Sequence, residues 1–236
     1  MKIFCVIPAL NEEGNLSVLT TQLVYALEKE DVSYTIFFVL QGHDGSKTIL
    51  NKLRKKNSHI EYVYYPKALG IGRSYRTGFQ NVNKSATHIL TLDADLNHNP
   101  ADLHRFLTNM AKTRSDIVIG SRFIEGGRFD DKRAWKRIIS KGVNSLIRTL
   151  MGLSVHDATS GYRLITKKVI VDITAKLCES GYPFYPEFIL RAQKAGFTIS
   201  EIPITYAPRM WGKSKMGKVK TLYDYIKFFP KIFLNF

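Results

Sequence analysis

Two carboxylates one residue apart, Asp93 and Asp95, stand directly behind the apolar run Ile89-Leu90-Thr91-Leu92. A short, partly β-branched run flanked by polar residues reads as a buried strand. Open α/β sheets bind ligands outside the carboxyl ends of their strands. Strand alternation would aim the two carboxylates at opposite faces, so the chemistry calls for a turn just past the strand. Such a turn can present both groups to Mg²⁺ or Mn²⁺, which one or two carboxylates hold together with substrate phosphates. Asp-x-Asp is also an ordinary turn and helix-capping sequence, and Pro100 opens a helix soon after. Spacing alone favours that plainer explanation, and the rest of the chain has to decide.

The elements around this stretch alternate. Lys2 to Pro8 reads as a buried strand closed by its proline, and 9–14 as a polar turn into a helix with Leu16, Leu19, Leu23 and Leu27 on one face. A strand from Tyr34 to Leu40, a helix to about Asn57, a strand from Ile60 to Tyr65 and a helix from about Leu69 through Phe79 follow. Gly70 and Gly72 lack the third glycine of a dinucleotide fingerprint. After the Asp-x-Asp come a helix from Pro100 to Lys112 and a strand from Ile117 to Gly120. This rhythm predicts βαβ units in an α/β fold with a mostly parallel sheet. Further on, the residues predict a turn from Asp157 to Arg163 entering a strand, helices near Val169–Leu177 and Glu187–Ala195, and a strand from Thr198 to Tyr206.

With 236 residues, 44% of them apolar, the chain can build one sizeable domain. Its net charge of +15 favours anionic partners: nucleic acid, nucleotide phosphates or an anionic membrane. Cys5 and Cys178 form no CxxC pattern, which argues against a disulfide framework or a zinc site. Two basic amphipathic segments stand out. Residues 132–151 interleave Trp135, Ile138, Leu146 and Leu150 with Lys132, Lys136, Arg137 and Arg148. Residues 218–236 place Val219, Leu222, Tyr223, Ile226, Phe229 and Phe233 at helical spacing among lysines, although Pro230 speaks against one straight helix. Packing on the sheet and docking on a membrane surface both account for such stripes. We divide the chain into a domain over 1–217 and a membrane-facing segment over 218–236.

Six segments, in order and spanning nearly the whole chain, resemble the family-2 glycosyltransferases, in particular their dolichyl-phosphate mannose synthase branch. They are Ile7-Pro8-Ala9-Leu10-Asn11-Glu12-Glu13, the stretch 69–79, Leu92-Asp93-Ala94-Asp95-Leu96-Asn97-His98, the stretch 120–127, Thr159-Ser160-Gly161-Tyr162-Arg163, and Trp211-Gly212-Lys213-Ser214-Lys215-Met216. The resemblance implies a GT-A fold with amphipathic membrane-facing helices, a nucleotide-sugar donor, a divalent cation (Mg²⁺ or Mn²⁺) and a polyprenyl or dolichyl phosphate acceptor at the cytoplasmic face of a membrane. It also implies roles. Pro8, Leu10, Glu12, Val39, Gln41, Asp93, Ala94, Asp95, Arg122, Arg209 and Lys215 would line the donor pocket. Asp93, Asp95 and Asn97 would hold the metal; Arg122, Lys136, Arg137 and Ser140 would meet the acceptor phosphate. Where the family has a Val-Asp-Asp run, this chain has Val39-Leu40-Gln41, so the carboxylate that reads the base is replaced by an amide able to donate and accept.

A phosphate acceptor suits this residue set. With a second pKa near 6, a lipid monophosphate is already anionic at neutral pH, and no general base is needed. Arg122 and Arg209, with Asp93 and Asp95, form the expected catalytic group, since guanidinium binds phosphate bidentately. The reading is an inverting transfer of mannose from GDP-mannose, with a UDP-sugar donor (glucose or an N-acetylhexosamine) as the alternative. A catalytically silent nucleotide-binding partner is a third reading, raised by Leu40 and Gln41. A nucleic-acid-binding module is the rival from another class; it is set aside, with no nucleic acid expected as a partner, because the basic residues are dispersed and no reader motif occurs. A membrane-anchoring partner, or transmembrane helices beyond Phe236, would complete the membrane attachment.

Overall fold

The computed structural model describes residues 1–130, 134–212 and 217–235. The first half alternates as its apolar periodicity demands: β1 (Lys2–Leu10), α1 (Glu13–Lys29), β2 (Ser33–Gln41), α2 (Ser46–Lys56), β3 (Ile60–Tyr65), α3 (Ile71–Gln80) and β4 (His88–Thr91). The second half carries α4 (Leu103–Thr113), β5 (Ile117–Ser121), β6 (Arg128–Phe129), α5 (Ala134–Met151), β7 (Arg163–Thr166), α6 (Lys167–Ile173), α7 (Phe184–Lys194), β8 (Ile199–Pro203), β9 (Thr205–Tyr206) and α8 (Lys218–Asn235).

Seven strands form one sheet in the order β3-β2-β1-β4-β7-β5-β8. All pair in parallel except β7, which is antiparallel to both β4 and β5. Alternation along β1 sends Phe4 and Val6 to one face and Ile3, Cys5, Ile7 and Ala9 to the other. The first face packs against α3, α6 and α7; the second packs against α1 and α4. Both strand faces are therefore covered, which is why the parallel strands read as continuous apolar runs.

Three expectations change. β1 does not stop at Pro8 but runs on to Leu10. Its pairing with β4 ends at Val6, so Pro8 sits where that side of the strand is an edge and a missing N–H is tolerated. The strand expected over 198–206 is two: β8 stays in the main sheet, while β9 turns away to pair with the short β6. The amide of Arg128 donates to the Ile204 carbonyl at 2.9 Å, and that of Asp130 to Tyr206 at 3.0 Å. The antiparallel β7 was invisible to a periodicity argument, because apolar alternation carries no direction. Finally, α8 is one helix through Pro230, whose ring lies on an exposed position.

The apolar residues of α5 divide between two surroundings. Ile147 and Met151 are buried in the core, whereas Ile138, Leu146 and Leu150 are exposed. On α8, Phe228 is buried against the core cluster and Tyr225 and Phe229 pack on it, while Val219, Leu222, Tyr223 and Ile226 are exposed. Packing therefore accounts for only part of each stripe. Among the described residues no helix is long and apolar enough to cross a membrane.

Candidate active site

Strand order locates the site. The chain runs from β1 outward through β2 to β3, then returns to place β4 on the other side of β1. A crevice opens at such a switch point, outside the carboxyl ends of the two strands. Here those ends carry Leu10 to Glu12 and Leu92 to Asp95. Because β7 runs antiparallel, the loop that enters it arrives at the same edge of the sheet. Asp157 to Gly161 thus join the ends of β4 and β5, and Thr91 Oγ1 donates to the Gly161 carbonyl at 2.8 Å. Gly161 is a close-approach position, since a Cβ there would lie 3.2 Å from the Asp93 carboxylate and 3.1 Å from the Tyr185 ring.

Asp93 and Asp95 follow the end of β4 in a turn, with Leu96 in the left-handed region at φ +62°. A leucine pays a steric penalty there, and such strain collects at functional sites. Asp93 Oδ1 accepts from two phenols, Tyr75 at 3.1 Å and Tyr185 at 3.2 Å. Its side chain remains 28% exposed. Asp95 Oδ1 accepts the Asn97 backbone amide at 3.1 Å, and Oδ2 pairs with Arg209 Nη2 at 2.7 Å. Burial raises the pKa of both carboxyls. The tyrosines, then Arg209 and Arg122, counter this at Asp93. At Asp95 the neighbouring Asp93 charge adds to it, while Arg209 opposes it. A pair held in this way gains from an added positive charge.

Arg209 bridges two carboxylates, because its Nη1 also pairs with Glu12 at 2.9 Å. Glu12 is buried and donates its backbone amide to Ser46 Oγ, while its other oxygen accepts from Asn15 at 2.6 Å. Two residues beyond Arg209, Trp211 lies on the first turn of α1; a Cβ at Gly14 would sit 2.3 Å from the indole. The segment 207–211 thus straps the β1–α1 turn to the Asp95 turn, and Asn97 Nδ2 donates to the Ala207 carbonyl to complete it.

Arg122, just past β5, is built differently. Its Nε and Nη2 make a bidentate pair with Asp157, both at 2.7 Å, and Nη2 also donates to Thr159 at 2.8 Å. The rings of Phe123, Tyr206 and Phe129 lie 5.0, 5.3 and 5.5 Å from the guanidinium carbon. Burial works against this charge, but Asp157 outweighs it and holds the arginine above its ordinary value. Burial likewise opposes the Asp157 charge, and Arg122 holds that carboxyl below the ordinary range.

The remaining expected residues separate. Leu10 is half-buried at the end of β1. Pro8, Val39 and Ala94 are buried, and Val39 and Ala94 belong to the core clusters. Gln41 is buried; its Nε2 donates to Ser74 at 2.8 Å and its Oε1 accepts the Leu69 amide at 2.7 Å, so both ends of the side chain engage the start of α3. Ser140 accepts from Asn144 through its carbonyl at 3.1 Å, and Asn144 in turn reaches Thr159 at 2.9 Å, which links α5 to the Arg122 wall. Lys215 and the side chains of Lys136 and Arg137 lie outside the described residues. Sequence reasoning named no role for Tyr75, Tyr185, Asp157 or Trp211. Tyr75, inside the 69–79 segment, and Trp211 were within matched stretches and were the nearest to being found.

Among the described residues no cluster of three or more His, Cys, Asp or Glu side chains forms a metal cage. Asp93 and Asp95 with the Asn97 amide still fit a hard cation that keeps water and phosphate ligands, provided Arg209 releases or shares Asp95. What the arrangement can do is hold an anionic group between a fixed guanidinium and a bridging one, beside two carboxylates.

Comparison with known proteins agrees with this geometry. Residues 4–174 match Glycosyl transferase family 2. The polyprenol monophosphomannose synthase of Mycolicibacterium smegmatis is 31% identical over 90% of this chain and 80% of its own. The undecaprenyl-phosphate mannosyltransferase of Micrococcus luteus is 28% identical over 92% of this chain and 88% of its own. Among solved structures, mannosyl-3-phosphoglycerate synthase from Rubrobacter xylanophilus superposes with a TM-score of 0.66 at 14% identity, over 97% of this chain and 73% of that one, which establishes the GT-A-like α/β fold. The chain belongs to glycosyl transferase family 2 and is a glycosyltransferase.

Proposed function

We propose that this protein transfers mannose from GDP-mannose to a polyprenyl or dolichyl phosphate, with inversion, at the cytoplasmic face of a membrane. The observation that carries the reading is the meeting of Asp93 and Asp95 with two guanidiniums held in different ways at the β1/β4 switch point. The names of the two sequence relatives support mannose as the sugar and a polyprenyl phosphate as the acceptor. In the reaction an acceptor phosphate oxygen forms a bond to the anomeric carbon. The bond from that carbon to the donor diphosphate breaks, and its electron pair leaves with the nucleoside diphosphate.

The residues divide these tasks. Arg122, fixed by Asp157, is placed to orient a phosphate without rearranging. Arg209 can exchange Glu12 and Asp95 for the donor diphosphate, which carries the charge that guanidinium binds best. Asp93, Asp95 and Asn97 would hold Mg²⁺ or Mn²⁺, which supplies Lewis-acid stabilisation of the leaving diphosphate. Lys136, Arg137 and Ser140 on α5, together with Lys215, complete the phosphate contacts in this reading. The exposed apolar residues of α5 and of the 218–236 segment meet the membrane surface. The Gln41 side chain is engaged by Ser74 and Leu69, so this reading does not assign it base selection, and a UDP-sugar donor stays as the second reading. The silent-partner reading loses ground to the intact carboxylate and arginine set.

Transfer of labelled mannose from GDP-mannose to a short polyprenyl phosphate, with Mn²⁺ or Mg²⁺ present, tests the proposal. Wild type should form lipid-linked mannose, and Asp95→Ala should abolish it while leaving the circular dichroism spectrum unchanged. Near-wild-type transfer by Asp95→Ala would remove Asp95 from the mechanism.

A further inference from the structure

A second polar cleft lies apart from the Asp93 and Arg122 groups. It has a volume of about 270 Å³ and is bounded by the loop at Leu69 and Gly70, the loop from Cys178 to Gly181, and one side of α8. Lys220, Lys227 and Lys231 line that side. They recur at seven and four residues, which keeps them on one face of a helix. The exposed apolar residues Val219, Leu222, Tyr223 and Ile226 occupy the adjoining face, and Phe228 occupies the buried one. The helix therefore has a core face, an apolar outer face, and a lysine edge that opens into the cleft.

The carboxylates in the cleft do not neutralise that edge. Lys231 is paired with Glu179 at 2.6 Å, and this pair ties α8 to the 178–181 loop. Asp224 lies against Gly181, where a Cβ would come within 2.5 Å of its oxygen. Among the described residues Lys220 and Lys227 have no carboxylate within ion-pair distance, and Lys227 sits 4.3 Å from the Tyr223 ring centre. The loop walls are well fixed. Glu187 accepts the amides of Cys178 and Glu179, both at 2.9 Å, and the Gly72 amide donates to the Ser180 carbonyl at 2.9 Å.

We propose that this cleft binds the phosphate headgroup of an anionic membrane phospholipid. The inference rests on the membrane-surface reading given above. Charge complementarity and continuity with the apolar face of α8 select this occupant. A helix lying in the interface sinks its apolar face among acyl chains and leaves its flanking lysines at headgroup depth. The cleft beside those lysines has room for a headgroup, so the contact differs from a general attraction of basic residues to an anionic surface.

The test measures partitioning of the full chain onto phosphatidylcholine vesicles with and without phosphatidylglycerol. It compares wild type, Lys220→Gln/Lys227→Gln, and Lys52→Gln/Lys55→Gln on α2, whose lysines are exposed and remove equal charge elsewhere. The gain from phosphatidylglycerol should fall by roughly an order of magnitude or more in the α8 double variant. It should persist in the α2 variant, with donor binding intact in both. Equal losses in the two variants would reduce the effect to diffuse charge and overturn the site. No gain in wild type, or weakened donor binding in the α8 variant, would overturn it as well. Mannose transfer to a short polyprenyl phosphate in detergent is scored in parallel, so failure of the cleft proposal and failure of the functional reading are told apart.

Discussion

Arg122 and Arg209 both act on Asp93, and they are held in opposite ways. Arg122 grips one carboxylate bidentately, bonds Thr159 and lies among three aromatic rings. Its side chain is 10% exposed, and Asp157 is fully buried. Arg209 is 21% exposed and shares itself between Glu12 and Asp95, which come from different strand ends. The first charge is neutralised by a residue with no other described business in the site. The second is neutralised by residues that a nucleotide and a cation would also claim. The difference teaches that a site handling two anions can use one positioned cation and one exchangeable cation. The positioned cation costs no reorganisation at the moment of reaction, whereas the exchangeable one keeps buried carboxylates compensated between turnovers.

The largest effect should come from breaking the fixed side. Asp157→Asn leaves a buried guanidinium without its counterion, and a loss of about 3–5 kcal/mol of stability is expected, read as the chemical denaturation midpoint. The acid limb should change with it. Asp157 titrates below its ordinary value of 3.8 in the folded chain, so its contribution is present above that value and lost as pH falls through the lower folded one. Wild type should therefore lose stability below about pH 4, and the variant should show a flatter acid limb. An unchanged midpoint would mean that Arg122 is compensated elsewhere.

Breaking the exchangeable side should cost the fold less and remove catalysis. Arg209→Gln is expected to lower kcat/KM by about 100-fold or more, with a smaller stability loss than Asp157→Asn because Glu12 keeps its Asn15 donor and Asp95 keeps the Asn97 backbone amide. A stability loss as large as that of Asp157→Asn would erase the distinction between the two arginines. A finer cut goes to the support of Asp93. Tyr75→Phe and Tyr185→Phe each delete one phenol donor to Oδ1, and each should cost about 1 kcal/mol of transition-state stabilisation. The double variant should weaken Mn²⁺ binding measured by calorimetry, since Asp93 is then free to turn away. Unaltered Mn²⁺ affinity would leave the tyrosines as core residues only.

Much of the positioning was legible in the chain. The strands β1 to β5 announced themselves as apolar runs because both of their faces are covered, and the Asp93-Asp95 turn followed from its place behind β4. What failed was direction and partnership. Nothing in Arg163 to Thr166 says that β7 runs antiparallel, yet that reversal brings Asp157 to Arg122. Nor does local sequence pair Arg209 with Glu12, a contact across 197 residues. Gln41 was read from its amide chemistry as able to meet a base, and nothing in the local sequence announces that Ser74 and Leu69 engage that amide in the fold. Residue type carried the chemistry well, and topology decided who meets whom.

The most direct measurement offers the purified protein GDP-mannose, UDP-glucose and UDP-N-acetylglucosamine separately, with Mn²⁺ and a short polyprenyl phosphate, and reads lipid-linked sugar. Product from GDP-mannose alone, in the β configuration, is the predicted result. Product from a UDP-sugar and none from GDP-mannose would contradict the account.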